Sequence, residues 1–127
     1  MTRMVTLQVR KDDLSRSRIA ESEAPALQDG QLLAQVDRFA LTANNVTYGV
    51  VGEKFGYWNF FPAPDGWGVI PVWGFADVVA SRHPEVAAGE RLYGYFPMGT
   101  HLVIEPARVS ATSFIDGSAH RAALPKV

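Results

Sequence analysis

The chain has 127 residues, a formal net charge of −1 and no cysteine. That length suits one domain, able to bury roughly two thirds of the surface its unfolded form exposes. Without cysteine, disulfides, thiol catalysis and cysteine-based zinc sites are excluded. A near-neutral balance with no basic stripe argues against nucleic acid and anionic membrane partners.

Hydrophobic residues make up 47% and charged residues 20%, an ordinary soluble composition. Met1 to Met4 lead straight into alternating polar and apolar residues, with no apolar core of a signal peptide. No apolar run reaches membrane-spanning length, so the expected location is cytoplasmic.

Met4 to Arg10 alternates, with Val5, Leu7 and Val9 on one side, which predicts a half-buried strand. Lys11-Asp12-Asp13 is a polar turn, and Arg16 to Ser22 predicts a second strand around Ile19. Glu23 to Gly30, with Pro25, Asp29 and Gly30, reads as loop and turn. Gln31 to Ala43 predicts the longest strand. A short helix is expected over Asn45 to Val51, capped by Thr42 or Asn44 and ended by Gly52. Glu53 to Gly68 holds Gly56, Pro62, Pro64, Gly66 and Gly68 and is expected to be irregular.

Val69 to Ser81 predicts a strand with a bend near Gly74. Glu85 to Gly89 is a turn. Arg91 to Tyr95 and His101 to Glu105 are strands joined by Pro97-Met98-Gly99, and Val109 opens a last extended piece. A helix over Asp116 to Leu124 would stop before Pro125. Pro125-Lys126-Val127 reads as an abrupt end, so the expectation is a piece cut from a longer protein. Short strands with frequent Gly and Pro turns point to a mainly β barrel or sandwich with one or two short helices.

Three segments carry a family resemblance. Leu41 to Gly49 (LTANNVTYG) resembles an Asn-Pro-x-Asp-x-x pattern, with Asn44, Asn45 and Thr47 at the Asn, Pro and Asp. Ile70 to Val79 (IPVWGFADVV) resembles a Pro-Gly-x-Glu-x-Ala-Gly-Val-Val strand through Pro71, Ala76, Val78 and Val79. Val86 to Tyr95 (VAAGERLYGY) resembles a Val-x-x-Gly-Asp-Arg-Val turn through Gly89, Glu90 and Arg91. In this order they are similar to the GroES-like N-terminal domain of medium-chain dehydrogenases and reductases, on its zinc-independent, quinone-oxidoreductase-like branch. Asn45, Thr47, Val72 and Asp77 depart from the pattern, which marks a divergent member.

The resemblance implies a partly open GroES-like β-barrel over residues 1–127. It implies hydride transfer from NAD(P)H to a carbonyl or activated alkene, with the cofactor held mainly by a C-terminal nucleotide-binding domain absent from this chain. Alone, the chain is expected to have no turnover. Zinc-dependent relatives place their ligands at positions matching Asn44, Trp73 and Gly74, and these cannot supply a thiolate, imidazole and carboxylate set. The three histidines, His83, His101 and His120, show no paired spacing, so no zinc is expected.

A metal-free site needs hydrogen-bond donors for the developing oxyanion. The resemblance places Asn44, Thr47 and Tyr48 at the cleft, with Tyr48 able to act as a general acid. Asn44 as a helix cap, Thr47 bonded back within the helix and Tyr48 as core remain the alternatives. Phe55 to Trp67 holds six aromatic residues. Phe55, Tyr57, Trp58, Phe60, Phe61 and Trp67 either wall a substrate pocket, with Tyr57, Trp58 and Phe61 its leading candidates, or plug the barrel or pack on the absent domain. Trp73 either stacks on a substrate or fills the space a metal would take, and Tyr95 is a further pocket candidate. Asn45-Val46-Thr47 matches a glycosylation triplet of a kind frequent by chance.

The expected partners are a small-molecule substrate and the nucleotide-binding domain, with a second copy of the chain as a further candidate. A non-catalytic binding or assembly module and a free-standing small-ligand binder are the other classes.

Overall fold

The computed structural model describes residues 2–117, apart from the Phe55 side chain. The first 40 residues form three strands, β1 (Arg3–Arg10), β2 (Ser17–Glu23) and β3 (Leu32–Ala40). Two short helices follow, α1 (Ala43–Val50) and α2 (Gly52–Phe55), then a 3-10 turn at Tyr57–Asn59. The remaining strands are β4 (Trp67–Gly68), β5 (Pro71–Ser81), β6 (Arg91–Pro97), β7 (His101–Ile104), β8 (Pro106–Ala107) and β9 (Ile115–Asp116). The fold is therefore mainly β.

All strand pairs are antiparallel, in sheets ordered β2-β1-β4, β6-β5-β3-β7 and β8-β9. The corner after β6 stitches the two larger sheets together. Leu7 N donates to Met98 O at 2.8 Å and Thr100 N to Val5 O at 2.8 Å. Thr100 O in turn accepts from Val36 N of β3 at 2.7 Å. Among the described residues no ring of strands closes into a barrel. None of their helices is long and apolar enough to cross a membrane.

Two hydrophobic clusters follow from the strand alternation. One lies between β3, β5 and β6 and gathers Leu32, Ala34, Ala76, Val78, Phe96 and Ile104. The other gathers Val9, Trp58, Ile70, Val72 and Met98, with Leu7, Leu14 and Tyr48 at its margin. The inward residues of β5, Val72, Ala76 and Val78, divide between the two, so this strand is common to both cores.

Several expected boundaries move. β3 ends at Ala40, because Thr42 already stands at the N-cap of α1. Gly52 does not end the helical stretch; it opens α2, and Gly56 ends that helix in the left-handed conformation with φ 76°. The stretch expected to be irregular thus holds a helix, a 3-10 turn and β4. β5 runs unbroken past Gly74, and its ladder with β3 shifts register between Leu33 and Ala34 and between Val36 and Arg38. Gly74, next to the second of these shifts, allows β3 a close approach, since a Cβ there would collide with the Arg38 carbonyl oxygen. Val109 opens no strand; Ser110 N donates to Ser113 O at 2.8 Å in a turn before β9. Asp116 belongs to β9, and the rest of the helix expected to Leu124 lies outside the described residues, as do His120 and Pro125-Lys126-Val127.

Candidate functional site

α1 is short and contains the β-branched residues Val46, Thr47 and Val50, poor helix formers. A buried amide clamp compensates. Asn45 Oδ1 accepts from Thr42 N at 2.7 Å, and its Nδ2 donates to Pro71 O at 3.0 Å. One side chain thus closes the N-terminal turn of α1 and ties it to the start of β5. Asn45 is buried, so the glycosylation triplet has no accessible acceptor in this fold. Gly49, one turn later, lets the helix settle against Leu14 and Ile70.

With Asn45 and Gly49 inward, Asn44, Thr47 and Tyr48 take neighbouring positions at i, i+3 and i+4. Asn44 and Thr47 are exposed. Thr47 Oγ1 donates back to Ala43 O at 3.4 Å, a long bond of the kind a solvent-facing helical threonine makes. Asn44 is not the cap, since that position belongs to Thr42. Tyr48 alone of the three reaches across to the sheet.

There, Tyr95 Oη of β6 donates to Tyr48 Oη at 3.1 Å. Burial, followed by the Tyr48 hydrogen bond, pushes the Tyr95 phenol well above its ordinary pKa. Tyr95 therefore stays protonated and acts as a donor. Tyr48, having accepted that bond, keeps its own O–H proton for another acceptor. Tyr57 stacks on Tyr48 at 4.6 Å between centroids, and Phe60 meets Tyr95 edge-on at 5.2 Å.

From Tyr95 a ladder of rings runs along the outer face of β5 and β6. The register sets Trp73 opposite Tyr95, Phe75 opposite Tyr93 and Asp77 opposite Arg91. Ring centroids are 4.2 Å apart for Trp73–Tyr95, 5.5 Å for Trp73–Tyr93 and 4.8 Å for Phe75–Tyr93. Arg91 closes the far end, 5.1 Å from the Phe75 ring. Its guanidinium also binds Asp37 at 2.7 Å and Asp77 at 3.0 Å. The Arg91 bond holds the Asp37 carboxyl below its usual range. The ladder is open, with Trp73 43% and Tyr93 63% exposed. Trp73 therefore stacks at the surface and does not fill a void.

The other expected pocket residues separate. Trp58 does not line this face; it is 7% exposed and packs in the second core. A Cβ on Gly52 or on Gly68 would run into its indole, so these two glycines define its slot. Phe61 is also buried and borders a different cavity, against β1 and β2. Tyr57, Trp73 and Tyr95 do come together with Tyr48. Among the described residues no three His, Cys, Asp or Glu side chains converge as a metal site.

Sequence reasoning missed Phe75, Tyr93 and Arg91. The signal was present as period-2 alternation, Trp73-x-Phe75-x-Asp77 against Arg91-x-Tyr93-x-Tyr95. Asn45 stands where the resembled pattern has a proline, and nothing local in the sequence marks its bond to Pro71.

Residues 39–127, more than half of the chain, match the family described as a protein of unknown function, DUF2855. The chain belongs to the DUF2855 family. The match spans α1, the aromatic ladder and the Tyr48–Tyr95 pair, and begins after β1 and β2. No curated protein matches the chain.

Proposed function

We propose that this chain is the substrate-binding part of a zinc-independent, NAD(P)H-dependent oxidoreductase acting on a carbonyl or activated alkene. The reading includes a GroES-like, partly open barrel of the medium-chain dehydrogenase and reductase type, working in the cytoplasm. The observation that carries it is the Tyr48–Tyr95 hydroxyl pair at the edge of an open aromatic face. A relayed pair of phenols at such an edge is suited to proton delivery.

The nicotinamide cofactor would supply a hydride to the substrate carbon. The exposed Trp73 ring, with Tyr95 tilted 39° to it, offers an aromatic surface for a nicotinamide or substrate ring. The chain carries no Gly-x-Gly-x-x-Gly phosphate cradle, so most of the cofactor would be held elsewhere in the protein. This chain's part is proton delivery and exclusion of water. Tyr48 O–H donates to the substrate oxygen or carbanion as charge develops there. Tyr95 O–H, already bonded to Tyr48 Oη, stabilises the resulting phenolate and can return a proton to it. Tyr57 and Phe60 fix both rings and keep water from their inner sides. Asn44 and Thr47, one helical turn apart, would contact the substrate from the rim.

The test is calorimetric titration of NADPH into protein expressed from the complete open reading frame. Binding is the expected result, weakened by Trp73→Ala. A flat titration of folded protein removes the oxidoreductase reading. The open ladder favours a second reading, an assembly module, which that flat result would leave standing.

A further inference from the structure

The face that β1 and β2 share carries a cavity of about 400 Å³. Met4, Thr6 and Gln8 pair across the hairpin with Ser22, Ala20 and Arg18, and their period-2 spacing sets all six on one side. Phe61, Val69 and His101 close over them. None of the ladder residues of β5 and β6 lines this cavity.

Its polar side chains are tied to one another and to the surrounding strands. The Arg18 guanidinium lies 4.0 Å over the Trp67 ring, and its Nε donates to Gln8 Oε1 at 2.9 Å. Only the amide oxygen can pair with a guanidinium, so the Gln8 NH2 group faces the other way. Gln8 is 8% exposed, and that NH2 has no protein partner among the described residues. His101 is equally buried. Thr100 Oγ1 accepts from Val5 N at 2.9 Å and contacts His101 Nδ1 at 2.8 Å. The Nδ1–Oγ1 contact admits a donor on either side; with the Thr100 hydroxyl donating to Nδ1, the ring's own proton sits on Nε2, which meets no protein partner among the described residues. Burial lowers the His101 pKa, which keeps the ring neutral near pH 7.

Arg18 and Gln8, with His101 in that tautomer, line one cavity with N–H donors. The single carboxylate of the lining, Glu21, is already held by Arg3. Donors that meet solvent and no protein acceptor can take an anion or a strong acceptor in place of water. Thr6 and Ser22 add hydroxyl groups, and the remaining lining, including Phe61, Val69 and Ala20, is apolar. The volume lies at the small end of ligand sites.

We infer that this cavity binds a small organic carboxylate, with its charged end at Arg18, Gln8 and His101 and a short apolar body against Phe61 and Val69. The inference does not depend on the oxidoreductase reading, since no nicotinamide is involved.

The test titrates sodium butyrate into the 15N-labelled chain and follows the Gln8 side-chain amide and the His101 ring by NMR. The expected result is a saturable shift at both, with butyramide producing none. Arg18→Gln is expected to weaken binding about tenfold, the loss of one charge-assisted contact. Arg18 is exposed on the hairpin, so the variant keeps its fold; if it does not, the butyrate and butyramide arms on the natural chain decide alone. Absence of a saturable butyrate shift, equal binding of butyramide, or unchanged affinity in Arg18→Gln overturns the inference. Inorganic phosphate binding as tightly as butyrate overturns the carboxylate assignment.

Discussion

Two tryptophans from one sequence neighbourhood meet opposite fates. Trp58 is sealed between Gly52 and Gly68 in the second core, while Trp73 stands open on the outer face of β5. The chain devotes two glycines to making a slot for one indole. It leaves the other as a rung between Tyr93 and Tyr95. Aromatic content alone therefore says little about a site. Neighbours decide whether a ring is a plug or a contact surface.

The largest effect breaks the plug. Trp58→Ala should cost about 3–5 kcal/mol in urea unfolding, the usual cost of emptying a large aromatic site. Trp73→Ala should cost less than about 1 kcal/mol, because its ring is already half in water. Similar losses for the two would show that they are not different in kind.

Much of the frame was legible locally. β1, β5 and β6 followed from alternation, and the helix near Asn45 from its capping residues. What escaped notice depends on distant pairs. The slot for Trp58 needs Gly68, ten residues on. The clamp for α1 needs the Pro71 carbonyl, and the β1–β2 cavity brings Gln8 to His101. Period and propensity describe a segment's own preferences; these contacts arise only once the sheets are stacked. The aromatic ladder is the exception, since two alternating strands announced it and only their register was lacking.

The next effect concerns what holds α1 beside the ladder. Asn45→Ala removes the bonds that Oδ1 accepts from Thr42 N and Oγ1, and leaves the Pro71 carbonyl without its partner. A loss of about 1–3 kcal/mol is expected, read by urea unfolding. The Tyr48 ring should also loosen, seen as faster ring flipping by NMR. A neutral substitution would show that packing alone seats the helix.

Smaller effects appear in the pH dependence of stability, with opposite signs in the two regions. The Tyr95 pKa is raised above its ordinary value near 10. Its contribution is complete below about pH 10 and is lost as pH rises beyond that. Tyr95→Phe should flatten the alkaline limb. The His101 pKa is lowered from its ordinary 6.5. Its contribution is complete above about pH 6.5 and falls as acid charges the buried ring, so His101→Gln should flatten the acid limb. Thermal melts from pH 4 to 11 separate the two. A variant that flattens the wrong limb would contradict the corresponding assignment.

The most direct test is single-turnover reduction of an aromatic aldehyde by NADPH, using protein from the complete open reading frame. With Tyr48 as the proton donor and Tyr95 behind it, Tyr48→Phe should slow the chemical step about 10²- to 10⁴-fold. Tyr95→Phe should slow it less and shift the pH profile. Equal rates for the natural protein and Tyr48→Phe would contradict the account.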